Sequence, residues 1–270
     1  MGQFEFGLIV PWFQFADRLP ASLEKIAGWR LKHKLNFVLC LVEDCSPDST
    51  PALIESLKAK YGDWCVFHRT SRNKGKGNAI REGAEKIQDH CPFLVFTDCD
   101  LYYGLDVIHE RILPELRQGA DVVILDRSWD KQFHASSALR KFLSYSFNHL
   151  KTILTGVTFQ DSQAGMKGFR TEFFRGVIPI AKINGFAFDV ELLSIALQFR
   201  FRVERIPIRR LESGPADESS VTLSNAFRMM WDLSRIARAR YSRAYATPFF
   251  LERVTRQLYE IKDEKNEART

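Results

Sequence analysis

The chain has few cysteines, and their spacing does not suggest that they pair. Its 270 residues include five cysteines, an odd number without CxxC or Cys/His spacing: Cys40, Cys45, Cys65, Cys91 and Cys99. Such a set indicates neither a disulfide framework nor a zinc site. We therefore expect reduced thiols, as in a cytoplasmic protein.

Long apolar runs are also missing. No uninterrupted apolar stretch approaches the ~20 residues needed to cross a bilayer. The first strand-like run starts near Phe4 and leaves no room for a signal peptide ahead of it. There is no internal repeat and no low-complexity tract. These absences predict a cytoplasmic protein. Any contact that it makes with a membrane would be peripheral.

Two common nucleotide-binding motifs are absent. The chain has neither the GxxxxGKS or GxxxxGKT phosphate loop nor GxGxxG followed by an acid. It has instead a basic, glycine-containing turn that opens a helix, residues 71–79. Glycines let the backbone approach a ligand closely and a helix N-terminus favours anions, so this turn is predicted to cradle a phosphate.

The charge balance is consistent with an anionic partner without choosing one. The net charge is +6, with 39 Lys and Arg against 33 Asp and Glu. Nucleic acid, a nucleotide, a lipid phosphate and an acidic membrane would all suit it. The basic residues are not concentrated in a nucleic-acid recognition motif, so we expect no nucleic-acid partner.

Strand-like and helix-like segments alternate along most of the chain. The predicted strands cover about residues 4–10, 36–43, 64–69, 93–97, 120–126 and 202–208. The predicted helices cover about residues 19–33, 51–61, 76–90, 107–118, 137–154 and 189–199. This order, with near-continuous apolar strands, predicts an α/β fold: a mostly parallel sheet with helices on both faces.

The polar, turn-rich segment 212–220 predicts a boundary, with one domain over residues 1–218 and a C-terminal segment over 219–270. Within that segment, residues 223–241 mix apolar residues with arginines, as in a basic amphipathic helix. Such a helix would lie on a membrane, pack on its own domain or pair with a second copy in a homodimer. A charged tail follows.

Acidic residues follow two of the predicted strands. Asp98 and Asp100 come directly after strand 93–97, and Asp44 comes one step past strand 36–43. The carboxyl ends of strands are where ligands bind in α/β sheets, so these carboxylates are well placed for a divalent cation on a diphosphate. Asp48 and Ser49 are better explained as caps of the following helix.

Seven motifs in one order resemble those of the inverting glycosyltransferase family 2 with a GT-A fold. Within it they look most like the dolichyl-phosphate mannose and glucose synthases and their bacterial polyprenyl-phosphate relatives. The resemblance covers about residues 8–218. The motifs are Val10-Pro11-Trp12-Phe13-Gln14, the segment from Glu43 to Thr50, the segment from Asn73 to Ala79, Asp98-Cys99-Asp100, Arg127-Ser128 with the segment from Arg140 to Ser144, the segment from Asp161 to Lys167, and the segment from Gly185 to Glu191.

The resemblance implies a donor site at the carboxyl edge of the sheet. It implies that Asp98 and Asp100 bind Mg²⁺ or Mn²⁺, which offsets charge on the departing nucleoside diphosphate as a Lewis acid. The nucleotide-binding residues that it implies are Pro11, Gln14, Glu43, Asp44, Lys76, Asp98 and Cys99. The residues that it implies for the sugar hydroxyls are Asp161, Gln163, Asp189 and Glu191. For Asp189, a favourable charge at a helix N-terminus is the alternative.

The resemblance also implies that Arg127, Arg140 and Ser144 bind an acceptor phosphate. Arg140 and Ser144 are four residues apart and share one helix face, and guanidinium groups suit phosphate oxygens. The implied catalytic residues are therefore Asp98, Asp100, Arg127 and Arg140. A phosphate is already anionic near neutral pH and needs no general base. A hydroxyl acceptor would need one, such as Asp189 or Asp161.

The expected function is a metal-dependent, inverting glycosyltransferase. It would move a sugar from a donor of the GDP-mannose or UDP-glucose type to a polyprenyl, dolichyl-type phosphate at the membrane surface. The alternative keeps the family and changes the acceptor to a hydroxyl on a saccharide, a glycolipid or a protein. A nucleotide-sugar-binding protein without turnover is a third possibility, from a different class.

Overall fold

The strands form one sheet of seven, in the order β3-β2-β1-β4-β6-β5-β7. The computed structural model describes residues 3–14, 16–129, 148–208 and 223–255, with side chains from 228 onward in the last range. The strands are β1 Phe6–Trp12, β2 Phe37–Glu43, β3 Cys65–Arg69, β4 Phe93–Phe96, β5 Val122–Asp126, β6 Lys167–Arg170 and β7 Val203–Pro207. Only β6 runs antiparallel to its neighbours, β4 and β5, among these seven strands.

Helices connect and cover these strands. They are α1 Leu19–Lys32, α2 Thr50–Tyr61, α3 Lys76–Ile87, α4 Leu113–Arg117, α5 with described residues 148–155, α6 Thr171–Val177, α7 Phe188–Gln198, α8 Leu223–Tyr241 and α9 over residues 248–255. A π-helical turn, Ile108–Ile112, leads into α4. Among the described helices, none is both long and apolar enough to span a bilayer.

The central strands are apolar along their whole length because helices cover both faces of the sheet. All seven residues of β2 are buried. Leu39 and Leu41 pack into one apolar cluster with α1, whereas Cys40 and Val42 pack into a second one with α3. Alternate side chains of a strand point to opposite faces, so a strand buried on both sides shows no polar alternation. The predicted α/β class with a mostly parallel sheet is confirmed.

One strand was not predicted. β6 has four residues, Lys-Gly-Phe-Arg, and places Lys167 opposite Phe96 of β4. Two cations in four residues conceal the strand pattern, and Lys167 is buried only because Asp189 of α7 pairs with it. Of the helix predicted over 137–154, residues 148–154 are helical within α5 and residues 137–147 lie outside the described residues.

The C-terminal helices pack on the sheet domain. Leu233 and Ile236 of α8, with Tyr245 and Phe250, are buried in the same apolar cluster as sheet residues such as Phe96. These positions cover the apolar face of α8 with the protein's own core. Trp231, on another side of α8, stays 65% exposed. The segment 212–220, on which the predicted boundary rests, lies outside the described residues.

Truncation of Phe250 tests whether this packing contributes to stability. Its ring is fully buried and stacks on Phe199 with 4.7 Å between ring centroids. We predict that Phe250→Ala lowers the free energy of unfolding by about 3–5 kcal/mol, the usual cost of removing a buried aromatic ring. The neighbouring Leu251 is 51% exposed, and Leu251→Ala should change it by about 0.5 kcal/mol or less. Urea denaturation measures the free energy of unfolding of both variants. Equally small effects of the two substitutions would contradict the packing of Phe250 in the core.

Candidate active site

Asp44 connects the loops at the carboxyl edge of β1, β2 and β3 through hydrogen bonds. It follows β2, and its main-chain N–H donates to the carbonyl oxygen of Trp12 at 2.9 Å. Its buried carboxylate accepts from Thr70 Oγ1 at 2.9 Å, from the N–H of Lys74 at 3.3 Å and from the N–H of Gly75 at 2.9 Å. Internal donors thus engage both carboxylate oxygens, and direct nucleotide binding by Asp44 stays a prediction.

The glycine turn before α3 does not form the open phosphate cradle predicted for it. The N–H groups of Lys74 and Gly75 point at Asp44, and those of Gly77 and Asn78 donate to the carbonyl oxygen of Asn184. Anion binding at a helix N-terminus requires N–H groups that are not already paired. The turn therefore serves to dock the start of α3 against neighbouring loops.

The glycines of this turn are required by close contacts. Gly75 has φ +100°, and a Cβ there would lie 2.9 Å from the carbonyl oxygen of Asn184. A Cβ on Gly77 would lie 2.5 Å from Cβ of Phe188. Both approaches are too close for any larger residue. They bring Lys76, between the two glycines, over the end of β4.

Lys76 and Asp98 form an ion pair at the centre of the edge. Lys76 Nζ lies 2.6 Å from Asp98 Oδ1, with the lysine side chain 17% exposed and that of Asp98 41% exposed. Burial alone would lower the pKa of Lys76, but the carboxylates of Asp98 and Asp189 outweigh it and the pKa is raised. The lysine is therefore cationic at neutral pH.

Asp98 also lies directly against the main chain of Gly165. A Cβ on Gly165 would lie 1.8 Å from Asp98 Oδ2, so only glycine fits there. Asp100 is exposed, and its Oδ1 accepts from the N–H of Tyr102 at 3.1 Å. Leu101, between Asp100 and Tyr102, has φ +54° and bends the chain sharply. Both carboxylates thus lie at the edge of the sheet, as predicted from their position after β4.

Arg127 and Asp161 form a bidentate pair beyond β5. Arg127 Nε donates to Asp161 Oδ2 at 2.7 Å and Nη2 donates to Oδ1 at 2.9 Å. The main-chain N–H of Arg127 adds a third bond to Oδ2, at 2.9 Å. Asp161 is buried, and a buried carboxylate requires such pairing. Because Arg127 engages both oxygens of Asp161, Asp161 fixes the Arg127 guanidinium, and the sugar contact implied for Asp161 stays a prediction.

Lys151, a buried lysine next to this pair, was not predicted from the sequence. Its ammonium donates to Asn148 Oδ1 at 2.8 Å, to the carbonyl oxygen of Phe159 and to Ser162 Oγ at 3.3 Å. Burial lowers its pKa to about 8, against the opposing effect of the Asp161 carboxylate. A lysine on the apolar side of an amphipathic helix was the available signal, but two of its acceptors, on Phe159 and Ser162, follow α5 and could not be inferred from the pattern.

A second buried ion pair joins β6 to α7. Lys167 Nζ lies 2.9 Å from Asp189 Oδ1 and donates to the carbonyl oxygen of Ala164 at 2.7 Å. Asp189 lies in the first turn of α7, where a negative charge also favours the helix dipole. The ammonium groups of Lys76 and Lys167 lie 5.6 and 5.5 Å from the ring centroid of Phe96. These cations therefore share one aromatic ring at the end of β4.

The carboxylate of Glu191 is engaged by donors inside the protein. Its fully buried carboxylate accepts from the N–H groups of Lys182 and Ile183 and from the hydroxyl of Tyr245, at 2.8–3.0 Å. Burial raises its pKa despite these bonds. These bonds give Glu191 a structural role, and the sugar contact implied for it stays a prediction. Gln163 lies nearer the surface, and its Nε2 donates to the carbonyl oxygen of Phe186 at 3.4 Å.

The other implied residues lie in several places. Gln14 is exposed and its N–H donates to Ser46 Oγ at 3.0 Å. Glu43 is buried beside Arg69 Nε, at 2.9 Å. Pro11 and Cys99 are partly buried at the same edge. Arg140 and Ser144 lie outside the described residues.

A sheet with one reversed strand, carrying an Asp-x-Asp after β4, is the arrangement of GT-A fold glycosyltransferases. The chain belongs to glycosyl transferase family 2, whose family model matches residues 8–177. It is therefore a glycosyltransferase. The predicted family and enzyme class are confirmed.

Curated relatives agree with the narrower resemblance. The chain is 25% identical over 240 residues to a dolichyl-phosphate beta-glucosyltransferase of Trichomonas vaginalis, covering 85% of this chain and 69% of that one. It is 28% identical over 249 residues to a dolichyl-phosphate beta-glucosyltransferase of Dictyostelium discoideum, covering 87% and 74%. The predicted likeness to dolichyl-phosphate sugar synthases is thus confirmed.

Solved structures share the fold. The chain superposes on glucosyl-3-phosphoglycerate synthase from Mycobacterium tuberculosis with a TM-score of 0.57 at 14% identity, over 91% of this chain and 80% of that one. That protein was crystallised with Mn²⁺, uridine diphosphate and phosphoglyceric acid. Mannosyl-3-phosphoglycerate synthase from Rubrobacter xylanophilus gives 0.52 at 15% identity, over 89% and 74%. At these identities the likeness concerns the fold alone.

Substitution of Gly165 tests the position of Asp98. We predict that Gly165→Ala displaces the Asp98 carboxylate, because the new Cβ would lie 1.8 Å from its Oδ2, and lowers kcat/KM for glycosyl transfer about 100-fold. Gly28, in α1, serves as the matched control, because a methyl group added there would have no neighbouring atom within 4 Å. Gly28→Ala should leave activity unchanged. Near-normal activity of Gly165→Ala would contradict the close approach.

Proposed function

We propose that the protein transfers glucose from a UDP-glucose-type donor to a dolichyl-type polyprenyl phosphate, with GDP-mannose as the competing donor. The observation that carries this proposal is the bidentate Arg127–Asp161 pair, a guanidinium held rigidly at the end of β5. The names of the curated relatives support the sugar and the acceptor. The uridine diphosphate in the related fold supports the donor base.

A fixed guanidinium is well suited to an acceptor phosphate. Arginine presents donors in a planar fork that matches phosphate oxygens, and Asp161 removes the cost of ordering that fork when the ligand binds. We propose that Arg127, Arg140 and Ser144 bind the acceptor phosphate together. A phosphate monoester carries about −1.5 to −2 charges at pH 7, so its oxygen attacks the sugar without a general base.

The acids after β4 fit a divalent cation. Carboxylate oxygens are the ligands that Mg²⁺ and Mn²⁺ prefer, and partly buried Asp98 and exposed Asp100 supply them from one loop. We propose that these two residues hold the ion. When bound, it would stabilise the charge of the departing nucleoside diphosphate.

The other residues of the proposed site would contact either the nucleotide or the sugar of the donor. Lys76 is cationic beside Asp98 and would add a second positive charge at the diphosphate. The residues proposed to line the nucleotide are Pro11, Gln14, Glu43, Asp44 and Cys99. Gln163 and Asp189, on the side of the cleft formed by β6 and α7, are proposed for the sugar hydroxyls.

A lipid acceptor requires a route to the membrane surface. Gln163 contacts both the carbonyl oxygen of Phe186 and the sulfur of Met229 on α8, so the sugar side of the cleft lies beside α8. Phe186 is 68% exposed at this side, and Trp231, elsewhere on α8, is 65% exposed. Aromatic side chains suit the lipid interface, so we propose peripheral membrane contact at this side. A homodimer through the same surface is the alternative, and light scattering distinguishes them.

A transfer assay tests the proposal. Radiolabelled UDP-glucose and GDP-mannose are each incubated with polyprenyl phosphate or with the corresponding polyprenol, with and without Mn²⁺. We predict that label enters the organic phase only with UDP-glucose, the phosphate acceptor and the metal. Equal transfer to polyprenol would favour a hydroxyl acceptor, and label that stays water-soluble with every donor would reject a lipid acceptor.

The same assay distinguishes the role of Arg140. Loss of one preorganised charged donor costs about 10²–10³-fold, so Arg140→Ala should lower kcat/KM for polyprenyl phosphate by about that factor. Lys141→Ala, at the adjacent position, is the matched control and should remain near wild type. Normal turnover of Arg140→Ala would show that this arginine does not bind the acceptor.

A further inference from the structure

Three potential metal ligands meet away from the active site, between α1 and the turn that leads into α4. His33 caps the C-terminus of α1, and Asp106 and His109 flank the start of the π-helical turn. His33 Nε2 lies 3.2 Å from Asp106 Oδ1, and His109 Nδ1 lies 3.9 Å from the same oxygen. One ligand atom from each residue lies within 4.8 Å of the other two.

The two ring nitrogens that face Asp106 are buried without a hydrogen-bond partner among the described residues. The carboxylate oxygen is close to both, but neither N–H direction meets it as a hydrogen bond. Leaving a buried polar atom without a hydrogen bond is unfavourable, so this pair of nitrogens requires an explanation. A cation held between these two nitrogens and the Asp106 carboxylate would provide one.

Two of the ligand-to-ligand distances are close to those around a small tetrahedral ion. Zinc–ligand bonds of about 2.0–2.2 Å place adjacent ligand atoms of a tetrahedron about 3.3 Å apart. The His33–Asp106 separation of 3.2 Å matches this value, and the His109–Asp106 separation of 3.9 Å requires a shift of about 0.6 Å. Asp106 is 54% exposed and can make such a shift.

We propose that His33, Asp106 and His109 bind Zn²⁺, with water as the fourth ligand. Two imidazoles and one carboxylate are a ligand set that zinc accepts in proteins. The ring of His109 is supported by Trp29, 5.8 Å between centroids, and its Nε2 lies 3.9 Å from Glu110 Oε1. Such outer contacts orient a ligating histidine.

The site would clamp α1 to the segment that carries the active-site acids. Asp106 follows Asp100 by six residues, and Ser22 Oγ of α1 already donates to the carbonyl oxygen of Cys99 at 3.1 Å. Zinc would add a second attachment between the same two elements. An ion that binds only the folded state stabilises it, so zinc should raise the melting temperature of the protein.

Zinc titration of the metal-stripped, full-length protein tests the site. We expect one Zn²⁺ that His33→Gln and His109→Gln each weaken by at least about tenfold, since even outer-sphere changes cost 10–100-fold. The exposed His90 provides the matched control, and His90→Gln should bind as wild type. Co²⁺ in the same site should show the visible absorption of a tetrahedral ion, which both ligand variants lose.

A second variant separates this site from the active site. Asp98→Asn should retain the zinc ion, because Asp98 is not among its ligands. Loss of zinc in Asp98→Asn, or unchanged zinc affinity in both histidine variants, would overturn the proposal. Circular dichroism checks that each variant is folded, and His33→Gln, at the end of a helix, decides the question if His109→Gln does not fold.

Discussion

The active site depends on the pairing of charges around the end of β4. Asp98 is in contact with two other elements: Lys76 of α3 at 2.6 Å and the main chain of Gly165, which precedes β6. Because these partners are far apart in sequence, the edge assembles only when the whole sheet has formed. The Lys76 cation and the acidic loop then lie in one cleft, which is the arrangement that a metal-bound diphosphate requires.

Buried ion pairs extend this arrangement towards the proposed acceptor side. Arg127–Asp161 and Lys167–Asp189 both include carboxylates that are almost fully buried. Such pairs contribute little net stability, because desolvation offsets their attraction. The pairs instead fix the position of each cationic side chain, since each is held in one orientation. Their presence in the core is therefore better explained by the site they form than by folding.

The sequence predicted the elements that carry a local signal. The apolar strands, the acids after β4 and the family motifs all lie within short stretches, so the α/β class and the position of Asp98 were accessible. β6 was not, because Lys167 is buried only through Asp189, twenty-two residues later. The pairing of the N–H groups in the glycine turn could not be predicted either, because Asn184, whose carbonyl oxygen accepts from Gly77, lies more than a hundred residues away.

The account rests on the claim that Asp98 and Asp100 hold a cation on the donor diphosphate. The most direct measurement is anomalous diffraction from a crystal soaked with Mn²⁺ and uridine diphosphate. The account predicts a manganese peak within about 2–2.6 Å of carboxylate oxygens of both residues and in contact with the diphosphate. Manganese bound elsewhere, with the nucleotide away from Asp98, would contradict it.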